Sequence, residues 1–306
     1  MANRIIITGG SGFIGSHLTG YLVEKGYEIT ILTRSPGKKN SETPAITYAE
    51  WDGKTSEGWL SHAEGAKAII NLAGESIIGL GWTKKKKEKI KSSREHAGQA
   101  VLEAVQKAKD KPGVIIQGSA TGYYGSRGDD ELTENCDPGT GFLPEVAQSW
   151  ESSTSPVEDI GVRHVIVRTS LVLDGSEGFL SFVKLPFMFF VGGHVGNGKQ
   201  WMPWIQVEDE IAAIGWLIEN KNASGAYNLA APEQLRASDF FKTTGRVMHR
   251  PSWFHLPGFL FKLLPGEMAE ELLLSSAKVI PSRLEKEGYE FRFPRLENAL
   301  QYSLSK

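Results

Sequence analysis

Cysteine is nearly missing from this chain: Cys136 is the single one in 306 residues. One thiol cannot close an internal disulfide, and no CxxC pair or clustered Cys/His spacing is present, so no metal site is expected. A reducing, cytoplasmic setting fits that usage. Long hydrophobic runs are missing as well. The longest apolar stretch, Leu185–Val191, falls far short of the roughly 20 residues a membrane span needs. It reads as a buried or pocket-lining element, with docking on a lipid surface or a second subunit as the alternative. An excess of one charge is also missing. The formal net charge of −2 offers no reason to expect nucleic acid or an anionic membrane as partner. No leader pattern opens the chain, because Ile5, Ile6 and Ile7 run into a glycine loop instead of a cleavage site. Internal repeats, low-complexity tracts and long linkers are likewise missing.

What is present is an alternation. Arg4–Thr8, Glu28–Thr33, Ala68–Leu72, Val114–Gln117 and His164–Arg168 are short β-branched runs of the kind that form buried parallel strands. Between them, Ile14–Lys25, Lys84–Lys109 and Leu143–Glu158 have helical spacing. The pattern predicts an α/β fold, a doubly wound parallel sheet, with a small and mainly α-helical C-terminal lobe. Residues 1–175 would form the dinucleotide-binding domain, completed by a helix at Glu208–Asn220 and a strand at Ala226–Leu229 within 206–230. Residues 176–205 and 231–306 would form a substrate lobe facing it across a cleft.

The strongest local signal is Thr8-Gly9-Gly10-Ser11-Gly12-Phe13-Ile14-Gly15, which ends one predicted strand and opens a predicted helix. Gly9 permits a tight turn, Gly12 lets the backbone approach a pyrophosphate, and Gly15 lets helix and strand pack closely. The helix N-terminus offers N–H groups and partial positive charge to phosphates. The alternative is a tight strand-to-helix turn without a ligand. About 20 residues on, NAD-binding proteins place a carboxylate for the adenosine ribose. Here the strand ends Leu32-Thr33-Arg34-Ser35. Arg34 is placed to pair with a 2′-phosphate, assisted by the Thr33 hydroxyl, so NADP(H) is the expected cofactor; a solvated strand-end arginine is the other reading.

Together with Asn71-Leu72-Ala73-Gly74 and Ser119-Ala120-Thr121-Gly122-Tyr123-Tyr124-Gly125, this loop resembles that of an extended short-chain dehydrogenase/reductase. More narrowly the chain is similar to an atypical, epimerase-like family whose C-terminal domain carries a "GE" and a "viP" segment, here Gly266-Glu267 and Val279-Ile280-Pro281. The resemblance spans nearly the whole chain. It implies a Rossmann domain, bound NADP(H), a small-molecule substrate such as a nucleotide sugar, and the homodimer common in the superfamily. It places Leu72, Ala73 and Gly74 along the cofactor, with Glu75 following at the ribose or nicotinamide. Arg94, in Ser92-Ser93-Arg94, matches the family's "SR" and would reach toward the cofactor; a surface arginine is the alternative.

The same resemblance exposes a gap. Extended members use a Ser or Thr, a Tyr as acid/base, and a Lys four residues later on the same helix face. Here those positions fall on Ala120, Leu143 and Ala147, and no register of the helix supplies Tyr-x-x-x-Lys. Substitute donors would be Ser119, Thr121, Tyr123 or Tyr124, although packing with a satisfied hydroxyl is the weightier reading for the tyrosines. Trp201, Trp204 and His194 are candidates to cap a pocket, and Lys84–Lys87 reads as the solvated start of a long helix. Two functions stay open: an NADP(H)-dependent oxidoreductase or epimerase with an unusual proton donor, or an NADP(H)-binding regulatory protein without catalysis.

Overall fold

The isoleucines of the first strand already divide the molecule. In the computed structural model, which describes residues 3–36, 43–79, 81–194, 196–254 and 266–305, Ile5 and Ile7 enter one hydrophobic core and Ile6 another. That is the period-two alternation of a strand covered on both faces. Seven strands form the main sheet: β1 (Arg4–Thr8), β2 (Glu28–Thr33), β3 (Ile46–Glu50), β4 (Ala68–Asn71), β5 (Val114–Ala120), and two later ones at Arg163–Thr169 and Gly225–Leu229. With Glu131–Leu132 as β6, those two are β7 and, after the short pair β8 (Leu171–Leu173) and β9 (Trp204–Gln206), β10. The order is β10-β7-β5-β4-β1-β2-β3 and every pairing is parallel. This is the doubly wound, Rossmann-like α/β sheet that the alternation predicts.

Helices cover both faces. α1 (Phe13–Glu24) brings Leu18 and Leu22 to one side. After the short α2 (Leu60–Ala63), α3 (Lys84–Lys107) brings Val101 and Val105 to the other. α4 (Phe142–Ser152) follows β5, and α6 (Val207–Glu219) packs beside α1. α5 (Gly178–Met188) and α7 (Ala237–Met248) build a third core with Leu180, Phe187, Phe240, Trp204 and the terminal helix Leu296–Leu304.

Two expectations change. The helix predicted over Leu143–Glu158 is two elements: α4 stops at Ser152, and a 3₁₀ stretch runs Ser155–Ile160. Pro156 has no N–H to donate and its ring would meet the carbonyl four residues back, so the α-helix cannot pass through it. The edge strand β3 was not predicted; it buries only Ala49 and pairs with β2 from Ile46 onward, so its own hydrophobic alternation is weak. Of the C-terminal lobe, residues 255–265 lie outside the described residues, whereas Val279 pairs with Leu132 in a two-residue parallel ladder.

Candidate functional site

Parallel strands bring all their C-terminal ends to one edge, where ligands bind in such sheets. At the end of β1, Gly9 turns at φ +70°, a region that L-residues rarely adopt, and a Cβ there would lie 2.9 Å from the Leu72 carbonyl. At Gly15 a Cβ would stand 2.3 Å from the Gly9 carbonyl oxygen. The loop and the start of α1 are therefore in direct contact. Gly12 is the N-cap of α1; it makes no side-chain cap and the first turn holds no acidic residue. The N–H groups of Phe13 and Ile14 that head the helix thus have no capping carboxylate, which fits a phosphate. The Phe13 ring packs under Gly178 at the start of α5.

Leu72 and Ala73 lie beside this loop because a polar relay pins β4 to β1. The Thr8 hydroxyl donates to Asn71 Oδ1 at 2.7 Å and accepts from the Ala73 N–H at 3.1 Å. Thr33 ends β2 half-buried, and Arg34 follows it exposed. Gly74 leaves room for Arg94, whose Cζ would be 2.9 Å from a Cβ at that position. Arg94 donates through Nη1 to the carbonyls of Glu75 and Ile90 at 3.0 Å and lies over the Trp150 ring. Burial pulls its pKa down to about 10, which still leaves it charged at neutral pH. The Glu75 carboxylate turns elsewhere: Lys86 and Lys89 hold it at 2.8 and 3.0 Å, and their hydrogen bonds lower its pKa. The lysine run is accordingly only partly solvated, since Lys87 also pairs with Glu267.

Beyond Arg94 opens a cleft of about 680 Å³. Ala120, Leu143 and Ala147, the three positions aligned with the family's Ser/Thr, Tyr and Lys, meet on its wall with Thr121, Thr169 and Ser170. His194 and Trp201 also line it, whereas Trp204 is fully buried and donates to the Glu233 carbonyl. From the apolar run, Phe187 is buried against the cleft while Leu185, Met188 and Phe189 are exposed.

The residues matched by the model of the NAD dependent epimerase/dehydratase family are 5–170, and a C-terminal domain of unknown function, DUF1731, matches 256–302. The chain belongs to this epimerase/dehydratase family. The Bacillus subtilis epimerase family protein YfhF is 38% identical over 97% of this chain and 96% of its own. Among solved structures, the human epimerase family protein SDR39U1 with NADPH superposes with a TM-score of 0.86 at 27% identity, covering 99% of both chains. A nucleoside-diphosphate sugar epimerase from Corynebacterium glutamicum gives 0.79 at 29% identity, covering 99% of this chain and 58% of that one.

The substitute donors divide: Thr121 lines the cleft, whereas the others are engaged elsewhere, the tyrosines packed as the weightier reading had it. Ser119 is buried and donates to Glu151 Oε1 at 2.6 Å. Arg168 grips the same carboxylate with two bonds, 2.9 and 3.0 Å, and donates to the Tyr124 hydroxyl at 2.9 Å. Tyr124 in turn donates to Asn228 Oδ1 at 2.7 Å, and burial raises its pKa to about 12. The Tyr123 ring lies against the Arg168 guanidinium at 3.5 Å, on a separate depression beside Gln148 and Ser152. Neither tyrosine nor Ser119 lines the cleft among the described residues. Successive side chains of β5 alternate between faces, so Ser119 points into the network and Ala120 into the cleft.

Two acidic residues escaped the sequence reading. Glu271, within the C-terminal family match, caps α4 by accepting from the Phe142 and Leu143 N–H groups at 2.8 and 2.7 Å, and it lines the cleft. Glu210 on α6 is buried, accepts from the Thr169 hydroxyl at 2.7 Å and leaves Oε2 without a partner among the described residues. Nothing local marks either one: Glu271 acts across 128 residues of sequence, and Glu210 sits in Glu208-Asp209-Glu210, an ordinary acidic helix start.

Proposed function

We propose that the chain binds NADP(H) at the glycine loop and presents it to a small molecule in the cleft, without the Tyr–Lys pair of the wider family. The observation that carries this reading is the uncapped start of α1 behind Gly12, on the same sheet edge as the cleft. When bound, the cofactor supplies or accepts a hydride at its nicotinamide ring. The chain's own residues would divide the other tasks. The N–H groups of Phe13 and Ile14 receive the pyrophosphate, with Gly9, Gly12 and Gly15 keeping the backbone close. Arg34, exposed beyond Thr33 and free to reach solvent-side phosphate, selects the 2′-phosphate. Leu72, Ala73 and Gly74 form the floor beside the loop, and Arg94 borders the nicotinamide end. The NADPH in the human relative's structure supports the choice of NADP(H) over NAD(H).

Ser119, Tyr123 and Tyr124 are left out as proton donors, because their side chains are engaged in the Glu151–Arg168 network. A second reading, cofactor binding without catalysis, draws on one observation: the three wall positions aligned with the family's Ser/Thr, Tyr and Lys are Ala120, Leu143 and Ala147, whose side chains carry no acid or base. Reduced-nicotinamide fluorescence on titrating NADPH and NADH into the purified protein tests the main proposal. NADPH should bind tighter, and Arg34→Ala should weaken NADPH about tenfold or more while leaving NADH nearly unchanged, as loss of a charge-assisted phosphate contact does. Equal losses for both cofactors would remove Arg34 from the site, and failure of both to bind the wild-type protein would end the proposal.

A further inference from the structure

A nucleoside-diphosphate sugar brings a diphosphate that must be met by cations or by open helix N-termini wherever it is taken from water. The cleft is poor in both. Among its described lining residues only one guanidinium is present, and Arg94 already directs Nη1 at two carbonyls while its face covers Trp150. Two helices of equal length, α4 and α5, begin on the cleft wall, and the leading N–H groups of α4 carry the carboxylate of Glu271. The seat that would hold a phosphate is filled by an anion of the chain itself. Just ahead of α5, Asp174 accepts from the N–H groups of Ser176 and Glu177 at 2.8 and 3.1 Å, which sets a second carboxylate beside that helix start, although the first turn of α5 itself has no side-chain cap.

Most of the wall is apolar, although His194, Gln200, Glu271 and Ser275 also line it. Leu143, Val146 and Trp150 come from α4, Val183 and Phe187 from α5, and Met202 from the loop before β9. Polar groups gather at the sheet edge, where Thr121, Thr169 and Ser170 line the cleft; the Thr169 hydroxyl is held by Glu210, and that of Ser170 donates to the Leu229 carbonyl. A cavity of about 680 Å³ lined in this way matches an apolar ligand of drug-like size oriented by a few polar contacts.

We infer that the cleft takes an uncharged, mainly apolar small molecule with a single polar end, met by the Thr121 hydroxyl beside Thr169 and Ser170, and rejects nucleoside-diphosphate sugars. This rests on the reading above that the cleft is the substrate site. It departs from what the name of the Corynebacterium relative suggests, and the departure lies in the charge of the pocket.

The test is a binding panel on the full chain with NADP⁺ saturating, so that a nucleotide cannot enter the glycine loop. Trp150 and Trp201 line the cleft and report occupancy through tryptophan fluorescence. The probes are 2-octanone and 4-phenyl-2-butanone against UDP-glucose and dTDP-glucose. The ketones should bind at least tenfold tighter than either sugar nucleotide. Val183→Asp, which puts a carboxylate on the apolar wall, should weaken the ketones at least tenfold. Val183→Ala keeps the wall uncharged and should change them less than threefold. Sugar nucleotides binding as tightly as the ketones, or neither class binding, overturns the inference. So does ketone binding indifferent to Val183→Asp in a variant whose circular dichroism matches wild type. NADPH fluorescence, measured first, separates this from the cofactor proposal: a protein that binds NADPH yet prefers UDP-glucose refutes the ligand class and leaves the cofactor reading standing.

Discussion

Arg168 and Glu210 are both buried near the strand ends, and their environments treat charge in opposite ways. Burial acts against the charge on Arg168, but the paired bonds to Glu151 outweigh it and raise its pKa. Removing one member of such a pair strands the other charge, at a cost of about 3–5 kcal/mol. Arg168→Met should therefore lower stability by about that much in urea titrations. Tyr124→Phe removes one hydroxyl from the same network and should cost about 1 kcal/mol. It should leave NADPH affinity unchanged; a lost affinity would return Tyr124 to the site. Glu210 has no cation beside it, and burial pushes its pKa from 4.5 to about 8. The folded chain thus keeps a proton that the unfolded chain releases near 4.5, so stability falls as pH rises from about 4.5 to 8. At about 1.4 kcal/mol per unit, the loss is on the order of a few kcal/mol. Glu210→Gln keeps the neutral shape. Its melting temperature should gain on wild type between pH 5 and pH 8.5; parallel pH profiles would show that Glu210 does not titrate there.

At the scale of elements, the junction of β1 and α1 is closely packed. The three glycines serve different needs: a left-handed turn at Gly9, an uncapped helix start at Gly12, and contact with the loop backbone at Gly15. The contact at Gly15 is with Gly9 and Gly10 rather than with the body of the strand. A methyl group there meets carbonyl and Cα atoms that no rotamer change can move. Gly15→Ala should cost about 1–3 kcal/mol, the usual range for overpacking, and should weaken NADPH because the displaced loop adjoins the N–H groups proposed to receive the pyrophosphate. Stability measured by denaturation and affinity measured by fluorescence should fall together. Helix α4 is set by contacts from afar in the same manner: Glu271 caps it, and the Trp150 ring fills the space that Gly118 leaves open, 2.9 Å from a Cβ placed there.

The whole molecule joins two cores on the sheet faces to a third built by α5, α7 and the terminal helix. The cleft runs between the sheet edge and this third core, so its shape depends on packing far from the glycine loop. Phe187 is the hinge of that arrangement: it is buried, its ring stacks with Phe241, and it fills the space beside Gly192. Phe187→Ala should cost about 3–5 kcal/mol and enlarge the cleft. Thermal denaturation should show the loss, while NADPH titration below the melting range should show affinity within a few-fold of wild type. No described helix is long and apolar enough to cross a membrane, and no cluster of metal-binding side chains occurs among the described residues.

The elements of the sheet were legible in the chain because they rest on local patterns: β-branched runs for strands, helical spacing between them, and the glycine triplet at β1. The short edge strand β3 was not, for lack of alternation, and the break at Pro156 is marked only by the polar run Ser152-Ser153-Thr154-Ser155 ahead of the proline, which carries no apolar pattern of its own. The near-absence of cysteine, the missing membrane-length run and the Leu143 and Ala147 that stand in the helix after Phe142 are all properties of order along the chain, and the sequence alone determined them. Which hydroxyls face the cleft was decided only by the tertiary structure. One residue of register separates Ser119 from Ala120, and a strand turns that single step into opposite faces. The same holds for Glu271 and Glu210, whose roles come from the helix end and the hydroxyl that distant parts of the fold bring to them.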